Sequence, residues 1–332
     1  MDNQPKFSVI LPVCHGGRFL ESALSSLKKV IPPAHGYEVI VSGTHNAAAA
    51  IFSRFAGPGW LFVESRGNRS DALNAACSVA RGATWVFSDD DCVFSSEWLL
   101  KIDTFFTCHA EAAAMGGSDV LVQDASDFDN ALDVVLNSWF ATGGTRSGRS
   151  FKAGGYYPKL WNMCVRATVA RQVALDRPEG RLIFDTGLRV HEDVHLIERI
   201  KAQKGKVVYE PSVRVEHSRD TNFKAFFARN AAMAAVCRRA GIHRLPHLTM
   251  AVFFTGLALL VIASIFSPRI TPVLLFMAGS YLAAVVGTAI CGVWAKKSLA
   301  VLMIVPGLLI SLHLARTFGY VLPACLGSEI HR

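Results

Sequence analysis

The chain has 332 residues and a net charge of +8, a length that holds one large domain or two smaller ones. The positive balance suits an anionic partner such as a phosphorylated substrate or an acidic lipid face, and with no aromatic-basic interleaving or zinc-finger spacing it excludes nucleic acid. The eight cysteines form no C-x-x-C pair, which excludes a disulfide framework or a zinc site and points to a reducing compartment.

Strand and helix signals alternate at the start. FSVILPV (7–13) is a β-branched-rich run interrupted by Pro12, and RFLESALSSLKKV puts Phe19, Leu20, Ala23, Leu24 and Leu27 on one helical face. YEVIVSG (37–43) and WLFVES (60–65) read as strands. A helix is expected over 69–82, capped by Ser70 and followed by Gly82. TWVFS (84–88) is the fourth strand, and it runs directly into Asp89, Asp90 and Asp91. Such alternation predicts an α/β domain with a mostly parallel sheet, in which ligands bind beyond the carboxyl ends of the strands. Three adjacent carboxylates repel one another, and a hard divalent cation, Mg²⁺ or Mn²⁺, relieves that repulsion. Extended backbone points Asp89 and Asp91 to one side.

The segment 142–159 reads as a long glycine- and arginine-rich loop. HEDVHLIERIKAQKG (191–205) reads as a helix entered through Glu192 and Asp193, and KVVYEPSVRVEH (206–217) as a strand pair broken at Pro211. Residues 222–241 form a basic amphipathic helix. Arg238, Arg239 and Arg244 then precede the apolar region, a cluster drawn to anionic lipid headgroups. Charges nearly vanish from Leu248 to Leu326, and membrane spans are expected at about 248–266, 271–295 and 299–315, the last of these either crossing or lying along the interface. Lys296 and Lys297 favour the cytoplasmic side. The start, with Asp2 in place of a basic n-region, carries no signal-peptide pattern. The expected organisation is therefore a catalytic domain over 1–221, a juxtamembrane helix over 222–247 and a membrane region over 248–332. The multi-pass chain would sit in the inner membrane with its catalytic domain in the cytoplasm.

Four stretches in this order resemble the family 2 glycosyltransferases, which have the GT-A fold, over about residues 8–240. They are SVILPV…ESALSSL, RSDALNAACSVARGATWVFSDDDCVFSSEWL, LWNMCVR (160–166) and HEDVHLIERIKAQKGKVVYEP. The resemblance implies an inverting, metal-dependent transferase that moves a sugar from a nucleotide-diphosphate donor, UDP by expectation, to an acceptor hydroxyl. It implies that Asp91 holds the metal, with Asp89 and His217 as further candidate ligands. Asp89, Asp90, Arg69 and Asn74 would contact the donor, and Asp193 would deprotonate the acceptor with Glu192 beside it. It further implies substrate positions at Pro12, at Ser42 (which with Gly43 stands where the family carries an aspartate pair, one acid of which contacts the nucleotide base), at Asn162 and Arg166 near the acceptor, and at Arg229, a remnant of the processive enzymes' Q-x-x-R-W. A membrane-tied catalytic domain suits a lipid-linked or glycolipid acceptor. Two other readings remain at this stage: a degenerate, non-catalytic membrane scaffold, and a metal-dependent phosphotransferase using the same aspartates.

Overall fold

The computed structural model describes residues 4–13, 17, 19–44, 47–122, 125–143, 156–178, 180–188, 190–218, 221–239 and 245–323. The chain divides into two compact units. One comprises Met1–Val122 and Lys152–Ser218, the other Gln123–Phe151 and Arg219–Arg332.

The first unit opens with β1 (Phe7–Val13), α1 (Leu20–Leu27), β2 (Tyr37–Gly43), α2 (Ala47–Ser53), β3 (Trp60–Glu64), α3 (Arg69–Val79) and β4 (Thr84–Phe87). A three-residue strand, β5 (Cys92–Phe94), then leads into α4 (Trp98–Cys108) and β6 (Ala112–Val120). These build the eight-stranded sheet, in order β3-β2-β1-β4-β7-β6-β10-β5, together with β7 (Met163–Arg166) and β10 (Lys206–His217). β1 pairs parallel with β2 and β4, β2 with β3, and β6 with β10. β7 runs antiparallel to β4 and β6, and β5 antiparallel to β10.

Every residue of β1 is buried, as expected of a strand covered on both faces. Its alternation divides the core. Phe7, Val9 and Leu11 pack with α1, α2 and α4, among them the fully buried Trp98. Ile10 faces the opposite layer with Leu73 and Ala76 of α3. Burial of side chains of this size is worth about 1.5–3 kcal/mol each. Pro12 is tolerated inside a central strand because the β4 pairing has already ended at Ile10–Phe87, so no ladder bond on that side needs its missing N–H.

The second layer also takes α7 (Ala167–Gln172) and α8 (Glu192–Ala202), preceded by the hairpin β8 (Leu175–Arg177) and β9 (Gly180–Leu182). Residues 206–217 form one strand rather than a broken pair, and Pro211 lies within a register shift between Tyr209 and Arg214.

The second unit contains α5 (Asp127–Asn137), α6 (Trp139–Thr142), α9 (Phe223–Arg239), α10 (Leu245–Phe266), α11 (Thr271–Lys296) and α12 (Ala300–Val321). Among its described residues, three helical stretches are long and apolar enough to cross a membrane: Leu248–Phe266, Pro268–Lys296 and Ala300–Val321. Protein covers half of the last apolar window but only 6% of the first, so α12 is the internal helix of this unit. Ala131, Leu132 and Val135 of α5 pack with Val305, Leu308 and Leu312 of α12 in one apolar cluster. Lys296 binds Asp133 at 2.6 Å, and Ser298 donates to Asp127 at 2.8 Å. Residues 125–143, expected within the catalytic domain, thus belong to the helical unit because their apolar face is completed there. Of the loop expected over 142–159, residues 144–155 lie outside the described residues, as does Arg244.

Candidate active site

Asp89, Asp90 and Asp91 form the turn between β4 and β5, at the carboxyl end of β4. The turn is tied down from beneath. Ser88 donates to the Trp161 carbonyl at 2.7 Å, and the amide of Cys92 donates to the Asp89 carbonyl at 3.3 Å. Burial, with Asp91 and Asp89 adding like charge, pushes the Asp90 carboxyl up to about 6.

The antiparallel pairing of β5 with β10 sets His217 opposite Cys92. His217 Nε2 then lies 3.2 Å from Asp91, while its Nδ1 faces Asp119 of β6 at 3.7 Å. Burial alone would lower the imidazole pKa, but the Asp119 and Asp91 carboxylates reverse this and push it up to about 9. The Trp161 ring leans over His217 with centroids 5.8 Å apart.

Donor atoms of Asp91, Cys92 and His217 lie within 4.8 Å of one another, close enough to hold one ion. The donor chemistry narrows this set. Mg²⁺ and Mn²⁺ take carboxylate and imidazole donors in preference to the soft sulfur of Cys92, and the histidine gives up its proton when an ion binds. An imidazole whose second nitrogen faces a carboxylate is the usual outer-shell arrangement at a metal. Asp91 and His217 therefore fit a divalent cation. Asp119, which no sequence pattern singled out, stands behind the histidine.

A second acidic pair approaches from α8. His191 precedes the helix in the left-handed region, with φ +65°, and aims the buried Glu192 and Asp193 off its first turn. A non-glycine residue held there costs on the order of 1–3 kcal/mol. Arg69 joins the two acidic groups: its guanidinium binds Asp89 and lies 3.6 Å from Glu192. Arg69 is aimed by a capping box in which Asn68, not Ser70, caps α3 and exchanges hydrogen bonds with Asp71. Burial raises the Glu192 carboxyl despite Arg69. Burial acts likewise on Asp193, but Lys159, at 3.1 Å, and His191 overcome it and hold that carboxyl below its ordinary value. Lys159 is a second residue that sequence reasoning missed.

Several expected substrate residues of the first unit are engaged elsewhere. The Asn74 side chain is occupied with the backbone of Ile183 and Phe184. Asn162 is fully buried, accepting from Trp98 and donating to the carbonyls of Ser118 and Val213. Arg166 pairs with Thr84 at the start of β4, the end away from the aspartates, and donates to the carbonyls of Phe106, His109, Ala110 and Ala112. Asn162 and Arg166, expected near the acceptor, are thus both engaged with the scaffold. Ser42 is wholly buried in β2 beside Pro12, its hydroxyl without a hydrogen-bond partner among the described residues. Its neighbour Gly43 leaves no room for the family's acid, since a Cβ there would stand 2.6 Å from the Val13 carbonyl oxygen. Arg229 is an exposed residue of α9, in the second unit.

A family profile described as glycosyltransferase like family 2 matches residues 5–234. The chain belongs to this family. Among solved structures, the fold is similar to that of a mannosyltransferase from Pyrobaculum calidifontis, determined with GDP-Man and Mn²⁺, at 16% identity and a TM-score of 0.57. That similarity covers 96% of this chain and 88% of that one. S. aureus TarS 1–349 is more distant, with a TM-score of 0.47 at 17% identity over 70% of this chain and 65% of that one. M. tuberculosis glucosyl-3-phosphoglycerate synthase likewise has a TM-score of 0.47, at 13% identity over 73% and 82%. Among curated proteins none matches this chain. The family 2 domain identifies the chain as a transferase of glycosyl groups.

Proposed function

We propose that this family 2 glycosyltransferase moves a sugar, with inversion, from a nucleoside-diphosphate donor to a hydroxyl of a lipid-linked acceptor in glycolipid or cell-envelope glycan synthesis. The observation that carries the reading is the convergence of Asp91, His217, Arg69, Glu192 and Asp193 at the carboxyl end of β4. In this reading Asp91 and His217 hold Mg²⁺ or Mn²⁺, oriented by Asp119. When bound, the ion supplies positive charge against the departing diphosphate. Asp89 and Asp90 face the donor, and Arg69 fixes Asp89 in place. Asp193 accepts the proton of the acceptor hydroxyl. Lys159 supports that role, because it keeps the carboxyl ionised and ready to take a proton. Glu192, raised by burial, lies beside it and hydrogen-bonds the substrate.

The donor base is read without a carboxylate at the end of β2, where Ser42 and Gly43 replace the family's aspartate pair and position 43 has no space for one. Both UDP- and GDP-sugars are therefore candidate donors, and the P. calidifontis neighbour, determined with GDP-Man, supports including the latter. The apolar helices support membrane anchoring, and Lys296 and Lys297 at the α11–α12 turn support a cytoplasmic catalytic unit. The test is a donor screen. Membranes carrying the chain are incubated with radiolabelled UDP- and GDP-sugars, and label entering the lipid extract is counted. Label is expected from one donor, abolished by EDTA and absent in Asp193→Asn. No transfer from any donor, with nucleotide still bound in a metal-dependent way, would instead make the chain a scaffold.

A further inference from the structure

Asp91, Cys92 and His217 are the one group among the described residues whose donor atoms could share an ion, and only two of the three suit Mn²⁺. The third is a sulfur. Cys92 has no exposed surface, and a buried thiol by itself is a small apolar side chain. Its placement here is more specific than that. The antiparallel pairing of β5 with β10 makes Cys92 and His217 direct cross-strand partners, and side chains at paired positions stand on one face of a sheet. Asp91 comes from the turn immediately before β5. Cys92 Sγ lies 4.0 Å from Asp91 Oδ1, and that same oxygen lies 3.2 Å from His217 Nε2. A tetrahedral zinc centre, with Zn–S of about 2.3 Å and Zn–N and Zn–O of about 2.0–2.2 Å, puts sulfur about 3.5 Å and nitrogen about 3.4 Å from the oxygen. Both separations are met here within about half an ångström. The spacing of the cysteines along the chain carries no zinc pattern because the histidine arrives from a distant strand.

We infer that Cys92 makes the manganese position a high-affinity site for thiophilic divalent ions, Zn²⁺ above all, held by Cys92 Sγ, His217 Nε2 and Asp91, and that such an ion keeps the transferase off. Affinity at a mixed nitrogen, oxygen and sulfur site rises from Mn²⁺ to Zn²⁺, so the two do not compete on equal terms. On binding, the thiol and the imidazole give up their protons to solvent as the sulfur–metal and nitrogen–metal bonds form. A tetrahedral ion with three protein donors keeps one open position, whereas an octahedral ion held by two keeps four for phosphate oxygens and water. Zinc therefore fills the position without offering the diphosphate the same hold. This site is the metal position of the proposed function, on which the inference rests; binding of metal alone is measured, so that the two fail separately.

The detergent-solubilised full chain, carrying Cys108→Ser and Cys291→Ala to remove the two exposed thiols among the described residues, is titrated with Cd²⁺ alone. Cd²⁺ is a thiophilic stand-in for Zn²⁺ whose thiolate bond gives a charge-transfer band in the ultraviolet. A band that saturates near one equivalent is expected. Cys92→Ser should abolish it and weaken Cd²⁺ binding by more than about 100-fold, beyond the worth of an outer-shell partner. Asp91→Asn and His217→Gln should each move saturation to higher Cd²⁺ with the thiol intact. Zn²⁺ should erase the band at near-equal concentration, and Mn²⁺ only in large excess. Should serine at this buried position misfold the chain, seen as lost helix content, Cys92→Ala gives the same readout. A band of full strength in Cys92→Ser, saturation indifferent to both Asp91→Asn and His217→Gln, or displacement by Mn²⁺ as readily as by Zn²⁺ would each overturn the inference. So would equal inhibition of sugar transfer by Zn²⁺ in parent and Cys92→Ser membranes. Mn²⁺ binding that depends on Asp91, with no thiolate band from Cd²⁺, would sink this inference and leave the proposed function in place.

Discussion

Replacing Asn162 by alanine separates a structural role from a substrate-binding one. The side chain accepts from Trp98 Nε1 at 3.3 Å and donates to Ser118 and Val213 carbonyls at 3.1 and 3.0 Å. Truncation leaves the indole N–H of a fully buried tryptophan without its acceptor and opens a small cavity between α4, β6 and β10. Each buried polar group left unsatisfied costs about 1–3 kcal/mol. Because the two carbonyls keep part of their backbone bonding, the sum is about 3–5 kcal/mol, at the high end for single substitutions. For a chain of this size that corresponds to a fall in melting temperature of roughly 10 °C. Asn162→Asp should be no better, since a carboxylate would face two carbonyl oxygens. The assay is thermal unfolding of the detergent-solubilised full chain, with donor affinity measured by calorimetry well below the transition. The expected result is a large loss of stability with affinity unchanged within about twofold. An unchanged melting temperature with a tenfold loss of donor or acceptor affinity would refute the reasoning and return Asn162 to the substrate.

Asp119→Asn should weaken Mn²⁺ binding by about 10–100-fold, as expected for a partner behind a metal-bound histidine. Electron paramagnetic resonance titration with nucleotide present checks this, and Asp91→Asn should cost more. Lys159→Met removes the charge that holds Asp193 below its ordinary pKa, so the acid limb of kcat/KM should move to higher pH, read from a pH–rate profile. Gly43→Asp, which restores the family's acid, should lower stability and donor affinity together because its Cβ collides with the Val13 carbonyl; expression level and calorimetry report both.

The sheet and its site were legible to different depths. The run from β1 to β4 is encoded locally, by β-branched strands and amphipathic helices, and the aspartates follow a strand that reads unmistakably as one. β6 escaped because AAAMGGSDV lacks β-branched weight, and its strand identity comes from pairing with β7 and β10. Asp119 and Lys159 were invisible for the same reason: one lies on that strand, the other precedes β7, and only tertiary pairing brings them to His217 and Asp193. The motif residues Asn74, Asn162 and Arg166 were visible, but a pattern of letters does not distinguish a side chain that holds the scaffold from one that touches a ligand.

The excursion of α5 and α6 bears on how this enzyme can be dissected. A truncation after Ser218 looks like a clean release of the soluble half, yet it strands Ala131, Leu132 and Val135 without the helix that covers them. Such a fragment should clump in aqueous buffer. Workable versions will retain α12.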